Sequence, residues 1–518
     1  MARLRGLRAA IIGALVCGVV AAAVASTAVA GPARQAAPAH AAASGSFVVA
    51  NTSSVQKLDP DVVTNFLDFQ ALGLIYDTLV QYDAKLAVTP DLATSWKFSN
   101  GNKTLTLQLR KGVKFQDGTT FTSANVKASL ERAKNPKTAD ASASFISTVT
   151  KIVPVGPYTV KLQLSRADTA VLSALTPLNL AMLSTKAIAA GTLAKKPVGT
   201  GPFQFAAWTP GTSFDMKANP TYWGGKVKLP AVQVRTIPTE QSIGSALQAN
   251  SVQLGLLTQP QVAEHLPKSF TVEKVLDLSY RALMLQSKTG PLANVNNRLA
   301  MACALDRQQV VNSAVLGQGK PVGPVPLGPY ATKPVSAICP TPDLTQAKAY
   351  LQKAGNPDGF SFTAITSNDL DATSAAQAIA VQSQFAQVGI KMNITNLASD
   401  AYIQAWLKGQ FEAAFAENGA DPSPYTMYGR YFAPGANLAI PAGYSDPALA
   451  NLLVQGDSAA TPAAAAKVFG QINQHLTANA VWLWLFDSYD YAVLSSKVHG
   501  FHLPPTRDLQ SLKSVTLS

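Results

Sequence analysis

The chain has 518 residues, 47% of them hydrophobic and only 14% charged, which excludes a disordered protein and leaves room for several packed units. Its 42 basic side chains outnumber 29 acidic ones, for a formal charge of +13. The basic residues stand singly or in pairs, such as Arg110-Lys111 and Lys195-Lys196, so no stripe exists to follow a nucleic-acid backbone, and a solvated basic surface is the expected reading.

Arg3, Arg5 and Arg8 precede an uncharged run over 9–30 that ends in Ala28-Val29-Ala30. A positive start, an apolar centre and a small-x-small exit predict a signal peptide over 1–30. A retained membrane anchor of the same length fits the alanine-rich exit less well. Lipidation at Cys17 is rejected, because Ala14-Leu15-Val16 lacks the small residues such a site places there. Residues 31–46 carry no apolar period and read as a flexible tether, with Ala39-His40-Ala41 as a second possible cut. No later segment reaches 18 uninterrupted apolar residues, so an exported protein of the cell envelope, secreted or tethered, is expected beyond it.

Leu105, Leu107 and Leu109 alternate with polar residues over 104–110, as do Tyr158, Val160, Leu162 and Leu164 over 158–165. Each pattern predicts a strand with one buried face. Between them, Thr122 can cap a helix over about 123–134 with Val126, Leu130 and Ala133 on one side. Another helix is expected from near Asn297, and Asp306 can cap its continuation through Val310, Val311, Ala314 and Val315, ending at Gly317. Residues 360–366, 372–388 and 390–394 read as strand, helix and strand, which implies a crossover and a parallel pair. A helix start is expected after Pro462. The architecture is therefore mixed α/β.

Three cysteines exclude a disulfide-framed scaffold and a multi-cysteine zinc or iron–sulfur module. Removal of the signal leaves Cys303 and Cys339, an even pair expected to form one disulfide in an oxidising compartment. Loop closure over about 36 residues would contribute roughly 4 kcal/mol. No phosphate loop, Gly-x-Ser-x-Gly elbow or His-Glu-x-x-His occurs, so no catalytic residue, metal ligand or cofactor is assigned. His499 and His502, near Pro504-Pro505, read as a solvated loop pair.

A set of ordered phrases carries more. They are Leu58-Asp59-Pro60, Tyr76-Asp77-Thr78-Leu79-Val80, Pro90-Asp91-Leu92-Ala93-Thr94-Ser95-Trp96 and Leu109-Arg110-Lys111-Gly112-Val113-Lys114-Phe115-Gln116-Asp117-Gly118. Gly199-Thr200-Gly201-Pro202-Phe203, Asn219-Pro220-Thr221-Tyr222-Trp223, Arg298 through Asp306-Arg307, and Asp421-Pro422 follow. Together, over about 47–505, the chain resembles the family 5 extracellular solute-binding proteins, the oligopeptide-, dipeptide- and nickel-binding components of ABC importers. Asp117-Gly118 reads as a tight turn, and Gly199-Thr200-Gly201-Pro202 as a close backbone approach.

The resemblance implies a two-lobed α/β fold of the type II periplasmic-binding-protein kind, with an inserted subdomain and a two-strand hinge. Lobe I would span 47–280 plus 488–518, with the insertion near 91–199, and lobe II 281–487. The hinge strands would lie near 278–285 and 482–487. A peptide would bind between the lobes and pass to a membrane permease; a monomer, no nucleic acid and no enzymatic step are expected. The same fold binding a metal chelate, haem or oligosaccharide is the alternative, with an envelope hydrolase or adhesin behind it. Glu417, Asn418, Asp421, Tyr425 and Arg430 are the expected ligand-binding residues, with Tyr280 from the first hinge strand. Dipeptide binders of the family carry an Asp three residues before their Asp-Pro that pairs with the ligand's ammonium. Here that position is Asn418, which cannot supply the charge; either Glu417 substitutes, or the ligand is longer, blocked or not a peptide.

Overall fold

The computed structural model describes residues 45–140, 142–325, 338–339, 341–421, 423–459 and 461–518. The signal peptide, the tether up to residue 44, Cys17 and Pro422 lie outside the described residues.

Period-two patterning decides the inserted subdomain. In the strand Thr104–Leu109 the three leucines are buried and Gln108 is exposed. It pairs antiparallel with Ala93–Ser99 on one side and Thr159–Leu164 on the other, and Val149–Pro154 completes the sheet. The helix Ser123–Lys134 covers it. Its cap is reciprocal: the Thr122 N–H donates to the Asn125 carboxamide at 2.9 Å, and Val126, Leu130 and Ala133 join the same apolar cluster as Leu105 and Leu107.

The main sheet crosses the molecule. One path runs from Lys391–Asn396 through Ser361–Thr366, Ala413–Gly419 and Ser279–Leu285 to Trp482–Leu494. It continues through Leu254–Leu257, Phe47–Asn51, Ala231–Thr236 and Ser213–Ala218 to Phe203–Thr209. Trp482–Leu494 joins the halves: residues 482–486 pair with Ser279–Leu285, and Leu494 back to Tyr491 pair with Leu254–Leu257. Thr271–Leu276 also pairs with its later half. Two strands thus carry the chain between lobes, and the ladder shifts register between Arg281 and Ala282, at the crossing. Separate apolar clusters lie on either side, one around Phe47, Phe203 and Phe214, the others around Leu283, Phe362 and Phe385 and around Tyr428, Tyr431 and Trp482.

Ser361–Thr366 and Lys391–Asn396 form the parallel pair, with the helix Ser374–Ala386 between them in sequence. The helix expected from Asn297 begins earlier, at Val295, because the Asn294 side chain already accepts the Asn296 N–H. Asp306 caps Arg307–Val315 by accepting the Gln309 N–H at 3.0 Å, and the chain turns left-handed at Leu316, one residue before the expected glycine. Cys303 and Cys339 are bonded, with Cα atoms 5.2 Å apart. The Gly199-Thr200-Gly201 approach is close: a Cβ on Gly199 would stand 2.1 Å from the Ile75 carbonyl oxygen. No helix of the described residues is long and apolar enough to cross a membrane.

Candidate functional site

The hinge strands place the site. Ala413–Gly419 pairs antiparallel with Ser279–Leu285, Glu417 opposite Arg281 and Asn418 opposite Tyr280. Successive side chains on a strand take opposite faces, so these two pairs point in opposite directions. Glu417 and Gly419 reach a cavity of about 660 Å³ between the lobes. Phe66, Phe69, Tyr76 and Tyr82 line it from the first lobe, with Phe145 and Pro177 from the insertion. Pro505, Arg507 and Asp508 come from the C-terminal segment, and Asp421, Met427 and Arg430 close the other side.

Tyr280 and Asn418 do not reach it. Tyr280 is fully buried in the cluster with Tyr428 and Trp482. The Asn418 carboxamide accepts the Tyr431 hydroxyl at 2.9 Å and turns its nitrogen toward the Met284 sulfur. The position that the resemblance gave to the ligand's ammonium is thus turned into the buried cluster of Tyr280, Met284 and Tyr431, with the Arg430 guanidinium over the Tyr431 ring. Tyr425 also stands off the cavity wall and contacts the inserted subdomain instead.

Around the hinge, charges gather. Arg281 pairs with Asp371 at 3.1 Å and Glu417 at 3.4 Å. Arg507 pairs with Asp277 at 2.9 Å and Asp490 at 2.8 Å, its guanidinium 3.6 Å over the Phe66 ring. Burial opposes ionisation of Asp371, but Arg281 and donors from Thr373 and Gln377 outweigh it and hold the carboxyl below its usual range. Asp277 is likewise held low, against burial, chiefly by Arg507. Burial and then the Asp277 charge push Asp487 well up, so it enters the cluster as the neutral acid. Glu417 is raised by burial against the pull of Arg281, and Asp490 rises to about 7 for the same kind of reason, with Arg507 opposing. Two guanidiniums therefore face more carboxyl groups than they can balance, and one of those groups lines the cavity.

Farther along the cleft, Asp421 accepts the Ser423 N–H at 2.7 Å and the Tyr82 hydroxyl at 3.4 Å, so the turn residue also ties the lobes. Burial pushes its carboxyl up to about 7. A second tie lies off the cavity. Arg166 of the insertion pairs with Asp457, at the end of the helix Pro447–Asp457, and donates to the Tyr425 hydroxyl at 2.7 Å. The Thr169 N–H and hydroxyl both donate to the Asp457 carbonyl at 2.8 Å. Burial, then the Asp168 carboxyl beside it, push the Asp457 carboxyl up to about 9, so this pair of acids holds a proton against one guanidinium.

Sequence reasoning missed Tyr82, Arg507, Arg166 and Asp457. Tyr82 lies two residues past a matched phrase, and the others lie outside every phrase. Nothing in local spacing marks them.

The model of the bacterial extracellular solute-binding proteins, family 5 Middle, matches residues 87–438. Glutathione-binding protein GsiB of Salmonella choleraesuis is 31% identical over 382 residues, covering 72% of this chain and 74% of that protein. The periplasmic binding protein DppA of Helicobacter pylori, solved with the peptide STSA, superposes with a TM-score of 0.78 at 26% identity, over 91% of this chain and 98% of that one. NikA of Brucella suis, solved with Fe(III)-EDTA, shares the fold with a TM-score of 0.80 at 22% identity, over 91% and 100%.

Proposed function

This chain belongs to the bacterial extracellular solute-binding proteins of family 5, and from that premise we propose that it captures short peptides between its lobes and delivers them to an ABC permease in the membrane. The observation that carries this reading is the cavity of about 660 Å³ walled from both lobes at a two-strand crossing. A cleft of that construction binds by closing about its hinge. Its wall suits a peptide: aromatic faces at Phe66, Phe69 and Phe145 for side chains, and charges of both signs for the ends. Glu417, set in the acid-rich hinge cluster, is the partner for a ligand ammonium, in place of Asn418. No bond need be made or broken for this task.

The lobes in this reading are 47–280 plus 488–518, with the insertion at 91–199, and 281–487; the separate apolar clusters support the division into two lobes, while Ala181, Leu183, Ala187 and Leu193 of the insertion pack into the first lobe's cluster. Export by the amino-terminal signal, action as a monomer and handover to a permease belong to the same proposal. The names of similar proteins, which bind glutathione and a serine-rich tetrapeptide, guide the choice of ligands. Native mass spectrometry of the purified protein, followed by calorimetry with glutathione and Ser-Thr-Ser-Ala, tests it. A co-purified peptide mass and one-to-one binding are expected. A bound metal chelate or sugar with no peptide binding would contradict it.

A further inference from the structure

Behind the hinge the lobes meet again, on the face turned away from the cleft. Along the crossing, Val275 stands opposite Asp490 and Lys274 opposite Tyr491. Asp490 is held by Arg507, which lines the cavity. Successive side chains on a strand take opposite faces, so Lys274, Tyr489 and Tyr491 point to the back. The apolar cluster on that face, around Leu257, Ala263 and Tyr491, gives no residue to the cavity.

One side chain of the second lobe reaches this surface. The helix Arg307–Val315 packs in the Leu283 cluster and ends in two left-handed residues, Leu316 and Gly317, whose turn sets Gln318 beside the crossing strand. The backbone is fixed there. The Gln318 N–H donates to the Val315 carbonyl at 2.8 Å, and a Cβ on Gly319 would stand 2.6 Å from the Asp487 carbonyl oxygen. The first lobe engages both ends of the Gln318 carboxamide. Its oxygen accepts from Lys274 Nζ at 3.1 Å, and its nitrogen donates to the Glu264 carboxylate at 3.2 Å. Lys274 and Glu264 pair at 3.4 Å, and the ammonium stands 5.0 Å over the Tyr489 ring. Both charges are exposed, so their pairing adds little to the stability of the fold. Their place behind the hinge gives them another use.

When two bodies turn about connecting strands, front and back move oppositely, so a widening cleft drives Gln318 toward Glu264 and Lys274. The Arg166–Asp457 tie is made, so the lobes stand closed, and the back contact is already at hydrogen-bond distance. Opening must therefore displace the carboxamide. We propose that Gln318 is a spacer behind the hinge: it lies outside the cavity, but its bulk limits how far the lobes open and so sets ligand affinity. Apparent affinity scales with the population able to close, so a smaller side chain at 318 weakens binding and a larger one tightens it. Because the spacer acts on the lobes and not on ligand contacts, every ligand changes by the same factor. The effect on affinity rests on the reading of capture by closure, whereas the effect on lobe separation does not.

The test compares Gln318→Ala, Gln318→Met and Gln318→Trp with the wild type in the full exported chain. Spin labels at Lys137→Cys and Asn451→Cys, exposed positions on the insertion and the second lobe, report lobe separation without ligand. Gln318→Ala should lengthen it and Gln318→Trp shorten it. Gln318→Met, of equal length but without the hydrogen bonds, should stay near the wild type. Calorimetry with Ser-Thr-Ser-Ala and glutathione should show Kd raised about two- to fivefold by Gln318→Ala and lowered about three- to tenfold by Gln318→Trp, by one factor for both ligands. Gln318→Met should remain within about twofold. Weaker binding in all three variants, or ligand-free distances that ignore the size of residue 318, would overturn the spacer while leaving peptide capture intact. Distances that follow that size in a protein that binds neither peptide would uphold the spacer and overturn peptide capture.

Discussion

Two of the places where the lobes meet are built on different principles. At the hinge, two strands connect them covalently, with Arg281 paired to Asp371 and Glu417 on the second-lobe side and Arg507 to Asp277 and Asp490 on the first-lobe side. At the far tie one ion pair and a few hydrogen bonds hold the lobes: the Arg166 side chain and the Thr169 N–H and hydroxyl on one side, the Asp457 carboxyl and carbonyl and the Tyr425 hydroxyl on the other. Each of the hinge ion pairs lies within one lobe, so it persists whether or not the cleft closes. The far tie exists only when the lobes touch, so its charges are free to return to water. The first set therefore governs the stability of the fold, and the second the stability of one conformation.

That contrast can be broken in order of effect. Arg281→Met leaves Asp371 and Glu417 buried without their counter-charge, and should cost about 3–5 kcal/mol in urea unfolding, since a lone buried carboxylate is the expensive outcome. A loss below about 1 kcal/mol would mean the hinge cluster is wetter than its burial implies. Arg166→Met should leave the unfolding midpoint nearly unchanged, because the freed acids can hydrate on opening. Ligand should then dissociate about tenfold faster, matching about 1.4 kcal/mol for the lost ion pair and the lost hydrogen bond to Tyr425 together. Equal destabilisation by both variants would erase the distinction.

The pH dependence sharpens it further. In the closed form burial, then Asp168, push Asp457 from 3.8 up to about 9, with Arg166 opposing; opened to water it returns toward its ordinary value. The closed form thus binds more protons between those limits. Closure should be strongest at the acid end of that window and weaken as the pH rises through it, by a few-fold per unit and at most tenfold. Asp457→Asn should flatten the profile, which calorimetry from pH 5.5 to 8.5 would read. Tyr425→Phe removes only one of the acceptors of Arg166 and should raise the dissociation rate about two- to fivefold, some 0.5–1 kcal/mol.

Much of the fold was legible because it follows from local periodicity. Leu105, Leu107 and Leu109 alternate and Thr122 and Asp306 cap, all from neighbours in sequence, and the glycines around Thr200 mark a close backbone approach without naming its partner, Ile75. The site was legible only in part. Glu417, Asp421 and Arg430 line the cavity, whereas Asn418 and Tyr280 face the core, because a one-residue step along a strand reverses the face and a phrase does not state which face is wet. Arg507 reaches the cleft from the last few residues of the chain, and Arg166 meets Asp457 across 291 positions. Contacts of that separation leave no mark on local composition.

Capture by closure makes the separation between the insertion and the second lobe the decisive quantity. Spin labels at Lys137→Cys and Asn451→Cys, both exposed positions on opposite sides of the far tie, would report it by pulsed dipolar spectroscopy. Binding of a peptide should convert a broad, longer distribution into one short distance, and the Arg166→Met background should retain the broad component. One unchanged distance with and without bound peptide, in both backgrounds, would contradict capture between closing lobes.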